Sequence, residues 1–85
     1  MKNEVDSQFI LTVFDKIRQH GEQQDNEYHL GGVKAYTDFD GYTVFIEDAL
    51  VKLRFGFHNQ YHFDYEAAAS LEAFEKKLKA INDQY

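Results

Sequence analysis

The residues best suited to chemistry lie close together near the C-terminal third of the chain, where His58 and His62 enclose Asn59-Gln60-Tyr61 and Asp64 follows two positions on. On a helix, H-x3-H spacing turns two imidazoles toward one metal ion, and Asp64 would add an oxygen donor. The surrounding residues read as strand and loop instead. A straight strand separates the two rings by ~13 Å at 3.3 Å per residue, and only a tight loop brings them back together. With no Cys in the chain and no evident further ligand, a small-ligand or metal-binding module built on His58, His62 and Asp64 stands as the alternative to a plain surface histidine pair.

Other catalytic constellations are thinner. His62 and Asp64 could form an oriented imidazole base, and Asp38 with Asp64 could pair carboxylates, but no nucleophile or oxyanion donor accompanies them. Ser7 and Ser70 sit at expected helix starts, where a hydroxyl caps backbone N–H groups. Asp38-Phe39-Asp40-Gly41 with Glu47 copies part of a calcium loop, yet the first ligand position falls on Tyr36, and the segment alternates as a strand hairpin does. Leu30-Gly31-Gly32-Val33 is too short for a phosphate-binding glycine loop. The chain is read as non-enzymatic, with no cofactor.

These residues must be positioned by elements that the hydrophobic pattern outlines. Val5, Phe9, Ile10, Val13, Phe14 and Ile17 form one stripe at helical spacing, which predicts a helix from Asn3 to His20. Asn3 or Asp6 caps it, and Gly21 supplies a left-handed end. Gly21 to Glu27 has nothing apolar to bury and reads as an exposed loop. Leu71, Phe74, Leu78 and Ile81 trace a second helix, starting near Ser70 as N-cap, with Ala67-Ala68-Ala69 able to extend it by a turn.

Between the helices the period drops to two. Gly31-Gly32 pairs Leu30 with Val33 and Tyr28 with Ala35, and an Asp40-Gly41 turn sets Phe39 opposite Tyr42, Thr37 opposite Val44 and Ala35 opposite Ile46. An Asp48-Ala49 turn would lay Ile46 against Val51, Val44 against Leu53 and Tyr42 against Phe55. A three-residue loop at His58-Asn59-Gln60 would pair Phe57 with Tyr61, Phe55 with Phe63, Leu53 with Tyr65 and Arg54 with Asp64, and set His62 opposite Gly56. The expected fold is α+β, a single domain over residues 1–85: an N-terminal helix, an antiparallel meander of four or five short strands, and a C-terminal helix. Both helices pack on one face of the sheet. Its core takes Phe9, Phe14, Phe39, Tyr42, Phe55, Phe57, Tyr61, Phe63, Tyr65 and Phe74.

Two helices cover one side of such a sheet, so the other side is where recognition is expected. Its predicted rows run Tyr36, Phe45, Lys52, Glu66; then Asp38, Thr43, Arg54, Asp64; then His29, Lys34, Glu47, Leu50. Ordinary cross-strand pairing accounts for much of this, with Asp38 and Asp64 flanking Arg54 and Tyr36 packed on Phe45. Tyr36, Phe45, Arg54, His58 and His62 are nevertheless of the types enriched at interfaces, and together they form the candidate platform.

Composition narrows the classes further. Nine Lys plus Arg against 15 Asp plus Glu give a formal charge of −6, which repels phosphate backbones and anionic lipid, so neither nucleic acid nor membrane is an expected partner. Lys76, Lys77 and Lys79 lie among Glu72, Glu75 and Asp83 on the second helix and read as a solvated face. No stretch approaches a bilayer span and the N-terminus lacks a leader pattern, so a cytoplasmic setting is expected.

The element order resembles the double-stranded-RNA-binding domain. The stretch Ala68-Ala69-Ser70-Leu71-Glu72, however, lacks the basic residues which that family places at its last helix. Residues Ala35-Tyr36-Thr37-Asp38-Phe39-Asp40-Gly41-Tyr42 and Gly56-Phe57-His58-Asn59-Gln60-Tyr61-His62-Phe63-Asp64-Tyr65 resemble a family of short bacterial, gammaproteobacterial-type cytoplasmic proteins of unknown function, a resemblance that implies no activity. The function expected is that of a small interaction or regulatory protein. It would recognise a partner protein or a second copy of itself, as a homodimer, through the exposed sheet face or edge.

Overall fold

The computed structural model describes residues 7–39, 41–56 and 60–85. Helix α1 spans Ser7–His20 and α2 spans Ala68–Gln84; between them run β1 (Glu22–Gln24), β2 (Glu27–Leu30), β3 (Val33–Thr37), β4 (Val44–Glu47), β5 (Lys52–Phe55) and β6 (Tyr61–Asp64). The six strands make one antiparallel sheet in chain order, each paired with its sequence neighbour. The expected helix, meander, helix order therefore holds, with six strands in place of four or five.

The additional strand is β1. Its residues Glu22, Gln23 and Gln24 are all exposed, so no hydrophobic alternation announces it. Backbone pairing with β2 holds it, across a tight turn in which Asp25 adopts a left-handed φ of 57°. An Asp-Asn turn between polar strands was the available signal.

The core forms where the helical stripes meet the sheet. Ile10, Val13, Phe14 and Ile17 of α1 and Phe74, Leu78 and Ile81 of α2 join Val33, Ala35, Ile46, Val51, Leu53 and Phe55 in one buried cluster. Burying each large side chain of this set stabilises the fold by about 1.5–3 kcal/mol. Leu71, Phe9, Tyr61 and Phe63 pack against the cluster while half-buried. Three aromatics expected inside are not: Phe39 is completely exposed, and Tyr42 and Tyr65 are largely so. Phe57 and His58, also named above, lie outside the described residues, as do Asn3, Asp6 and Asp40.

Phe39 and Tyr42 lose their expected pairing because the β3–β4 connection turns one residue early. The Gly41 N–H donates to the Asp38 carbonyl and the Asp38 N–H to the Thr43 carbonyl, so the ladder closes there, and the two rings project from the connection. Gly41 keeps the left-handed φ that the turn needs, 79°.

Two helix ends differ from expectation. Gly21 does close α1, its N–H donating to the Ile17 carbonyl at 2.8 Å, but it is not in the left-handed region. Glycine is required by proximity instead, since a Cβ there would lie 2.5 Å from the Ile17 carbonyl oxygen and 2.8 Å from that of His29. At the other helix the cap residue is Ala67, extended at φ −126° and ψ 139° with no side-chain capping bond. Ser70 lies inside the first turn and its N–H donates to the Ala67 carbonyl. The alanine run thus extends the helix, consistent with its high helix propensity.

Polar contacts tie the layers together. Lys16 of α1 donates to the Asn82 carbonyl at 2.7 Å, joining the helices, and Lys77 of α2 donates to Asp48 at 2.9 Å in the β4–β5 loop. Lys77 is therefore not simply part of a solvated lysine face.

Candidate functional site

The β2–β3 and β3–β4 pairings follow the sequence expectation, with Tyr28 opposite Ala35 and Ala35 opposite Ile46. The next two pairings shift by two residues. Ile46 lies opposite Leu53 rather than Val51, and Leu53 opposite Phe63 rather than Tyr65. A two-residue shift keeps every side chain on its own face, so the core survives while the rows on the outer face are rewritten.

Asp48 causes the first shift. Its carboxylate accepts from the Leu50 N–H at 2.9 Å and the Val51 N–H at 2.8 Å, while its own N–H donates to the Val51 carbonyl at 3.0 Å. The connection therefore spans Asp48 to Val51, and Val51 is tucked into the core instead of joining the strand. At the next connection the Gly56 N–H donates to the Gln60 carbonyl at 2.9 Å, which fixes β6 against β5 and sets His62 opposite Arg54 rather than Gly56.

The consequence is one row across the outer face: Tyr36, Phe45, Arg54 and His62, on four successive strands. Four of the five platform residues named from sequence thus share a line; the fifth, His58, lies outside the described residues. A parallel row holds His29, Lys34, Glu47, Lys52 and Asp64. Arg54 does not lie between Asp38 and Asp64; its ladder neighbours are Phe45 and His62.

Tyr36 and Phe45 stack with centroids 4.9 Å apart and planes 16° from parallel. Lys34 Nζ lies 5.9 Å from the Tyr36 ring centre and Lys52 Nζ 6.0 Å from that of Phe45, so the stack is bracketed by two cations at cation–π range. The Tyr36 hydroxyl donates to Glu47. Burial, then that bond and the nearby charges of Glu47 and Glu27, raise its pKa above the ordinary tyrosine value. Lys34 reaches Glu27 at 3.4 Å, and His29 Nε2 lies 3.5 Å from the same carboxylate. The Tyr36 end of the row is thereby tied into the sheet, although the buried His29 Nε2 makes no hydrogen bond.

The other end differs. Phe45, Lys52, Arg54, His62 and Asp64 line a shallow cavity of about 190 Å³. Arg54, His62 and Asp64 are exposed, and among the described residues their side chains enter no ion pair or side-chain hydrogen bond. A ring edge, a guanidinium, an imidazole and a carboxylate on rigid strands can recognise charged or planar groups. Ser7 opens α1 and Ser70 lies in α2, elements packed on the opposite face of the sheet, so neither serine joins this group. Among the described residues no group of three or more His, Cys, Asp or Glu gathers to hold a metal ion. Glu47, last in the calcium-loop pattern, is a β4 residue engaged by Tyr36.

Lys34, Lys52 and Glu47 frame the stack; the predicted rows put all three on this face, but the candidate platform did not include them. Their signal was the alternation itself, with Lys34 two residues from Tyr36 and Glu47 two from Phe45 on the same face.

Fold and face together define a class: an α+β chain whose helices cover one side of an antiparallel meander and leave the other aromatic and charged. The chain belongs to the family described as Protein of unknown function (DUF3081), whose model matches residues 5–85. No curated protein and no solved structure matches the chain. Among the described residues no helix is long and apolar enough to cross a membrane.

Proposed function

We propose that the chain is a small non-enzymatic interaction protein that recognises a protein partner through the outer face of its sheet. The observation that supports this reading most is the row Tyr36, Phe45, Arg54, His62, in which an aromatic stack runs into exposed polar groups with no partner among the described residues. Aromatic rings and Arg anchor interfaces because they bring large rigid area and directed hydrogen bonds at small entropic cost. Strands hold them fixed, which limits the ordering cost on binding.

The test compares the wild-type chain with a triple variant, Tyr36→Ser, Phe45→Ser and Arg54→Ser, as immobilised bait and by sedimentation. Circular dichroism would first establish that the variant keeps its fold. The expected result is association by the wild type, with itself or with defined proteins, that the variant loses. Equal association by both, or none by either, overturns the reading.

A further inference from the structure

We propose that two copies of the chain join edge to edge through β6, merging their sheets about a two-fold axis at Phe63. The inference goes beyond the outer-face reading above, since it concerns the edge of the same sheet and stands or falls separately.

Because the Gly56 N–H donates to the Gln60 carbonyl, those two residues are a hydrogen-bonded antiparallel pair. Hydrogen-bonded pairs recur at every second residue, so Arg54 with His62 and Lys52 with Asp64 are of the same kind. Phe63 opposes Leu53 in a non-hydrogen-bonded pair, and its N–H and C=O point away from β5. β6 is the last strand of the sheet and no further strand pairs with it among the described residues, so these groups face away from the sheet. Such an edge is a template for another strand unless Pro, Lys, a bulge or a covering segment blunts it, and Tyr61-His62-Phe63-Asp64 contains neither Pro nor Lys.

Side-chain complementarity then selects the occupant. Antiparallel pairing of β6 with its own image about Phe63 sets Phe63 opposite Phe63 of the second copy. On the outer face it sets His62 opposite the second copy's Asp64, and Asp64 opposite the second copy's His62. Both imidazole–carboxylate pairs form at once, in the closer non-hydrogen-bonded type of cross-strand pair. On the inner face Phe63 already packs edge-on against Phe74 at 6.3 Å and lies 5.9 Å from Tyr61, so a second Phe63 would extend that half-buried aromatic cluster. The opposite edge offers less: β1 is three residues long, entirely exposed, and has no apolar side chain. Self-pairing at one edge also closes the assembly at two copies, whereas β1-to-β6 pairing would run on indefinitely.

The test uses the full chain in sedimentation equilibrium over a wide concentration range, with amide hydrogen exchange alongside. Expected are a reversible dimer and concentration-dependent protection of the Phe63 amide. His62→Asp sets like charges opposite each other twice and should weaken the dimer about 10-fold or more. It leaves a favourable Arg54 neighbour in the monomer, so loss of pairing would not reflect unfolding. Adding Asp64→His to it exchanges the two residues and should restore the dimer. A chain that stays monomeric overturns the inference while leaving the outer-face reading to its own test. A dimer insensitive to His62→Asp, with no Phe63 protection, but broken by the Tyr36, Phe45 and Arg54 variant overturns the edge and supports the face.

Discussion

Tyr36 lies flat against Phe45, 4.9 Å between ring centres, on the side of the sheet turned away from both helices. The pair covers itself, because each ring shields one face of the other and Lys34 and Lys52 flank them. Cross-strand aromatic pairs of this kind contribute roughly 0.5–1 kcal/mol. A Phe45→Ala substitution should therefore lower stability by about 1–2 kcal/mol once its own half-burial is added, as read from urea denaturation. A loss above about 4 kcal/mol would place Phe45 in the core rather than on the outer face.

The same pair gives an alkaline signature. Tyr36 holds its proton to higher pH than an ordinary tyrosine, chiefly through burial and then through its bond to Glu47. A raised folded-state pKa stabilises the fold fully below the unfolded value near ~10, and the contribution falls away as pH rises further. Absorbance titration of the phenolate should show Tyr36 ionising last, with that lagging component absent from Tyr36→Phe. Simultaneous ionisation of all the tyrosines would contradict this.

Asp48 should govern the acid side. Burial by itself would raise its pKa, but hydrogen bonds from Lys77 and from the Leu50 and Val51 N–H groups together outweigh burial and hold the carboxyl below its ordinary value. That stabilisation is complete above the unfolded carboxylate pKa of about 3.9 and is lost as pH falls below it. Asp48→Ala removes the acceptor for three donors and should cost about 2–3 kcal/mol at neutral pH. Lys77→Met should cost no more than about 1 kcal/mol, since the lysine end of the pair is substantially exposed. Denaturation at pH 7 and pH 3 checks both, because each deficit acts through the Asp48 carboxylate and shrinks in acid.

Two glycines should respond differently to alanine. At Gly21 the new Cβ would collide with two carbonyl oxygens, so Gly21→Ala should destabilise by about 2–3 kcal/mol as the helix end is pushed from β2. Gly41 has open space around its Cβ position but a φ of 79°, so Gly41→Ala should cost only about 1 kcal/mol, from backbone strain. Thermal unfolding of both variants would show whether the order holds; a reversal would mean that the end of α1 yields more easily than the hairpin.

Core truncation sets the scale for these effects. Phe74 is wholly buried among residues of both helices and the sheet, and Phe74→Ala should cost about 3–5 kcal/mol. A chain of this size has little more stability than that to lose, so the variant should be largely unfolded by near-ultraviolet circular dichroism.

Much of the scaffold was legible because strong periodicity and glycine turns leave few choices. The stripe Ile10, Val13, Phe14, Ile17 located α1, and Gly31-Gly32, with φ of 61° and 85°, fixed the β2–β3 register. Where a side chain controls the connection, pattern was not enough. Asp48 captures two backbone N–H groups and lengthens its turn, and the alternating pattern is blind to a shift of two because every residue keeps its face. The candidate row inherited that ambiguity: its members were named correctly as outward-facing, but Arg54 was placed beside Asp64 when it belongs beside Phe45 and His62. β1 escaped notice for another reason, since a strand with no buried side chain carries no hydrophobic signal.

The meander also bears on how the chain reaches this state. Every strand pairs with its immediate neighbour in sequence, so the sheet can grow by successive hairpins, each closing a short loop at small entropic cost. The long closure is the one that brings α1 to α2, where Lys16 meets Asn82 across 66 positions. Rapid hairpin zipping should precede a slower docking of the two ends. Helix-end contacts such as Lys16 with Asn82 would then mature after the transition state, and their removal would speed unfolding more than it slows folding.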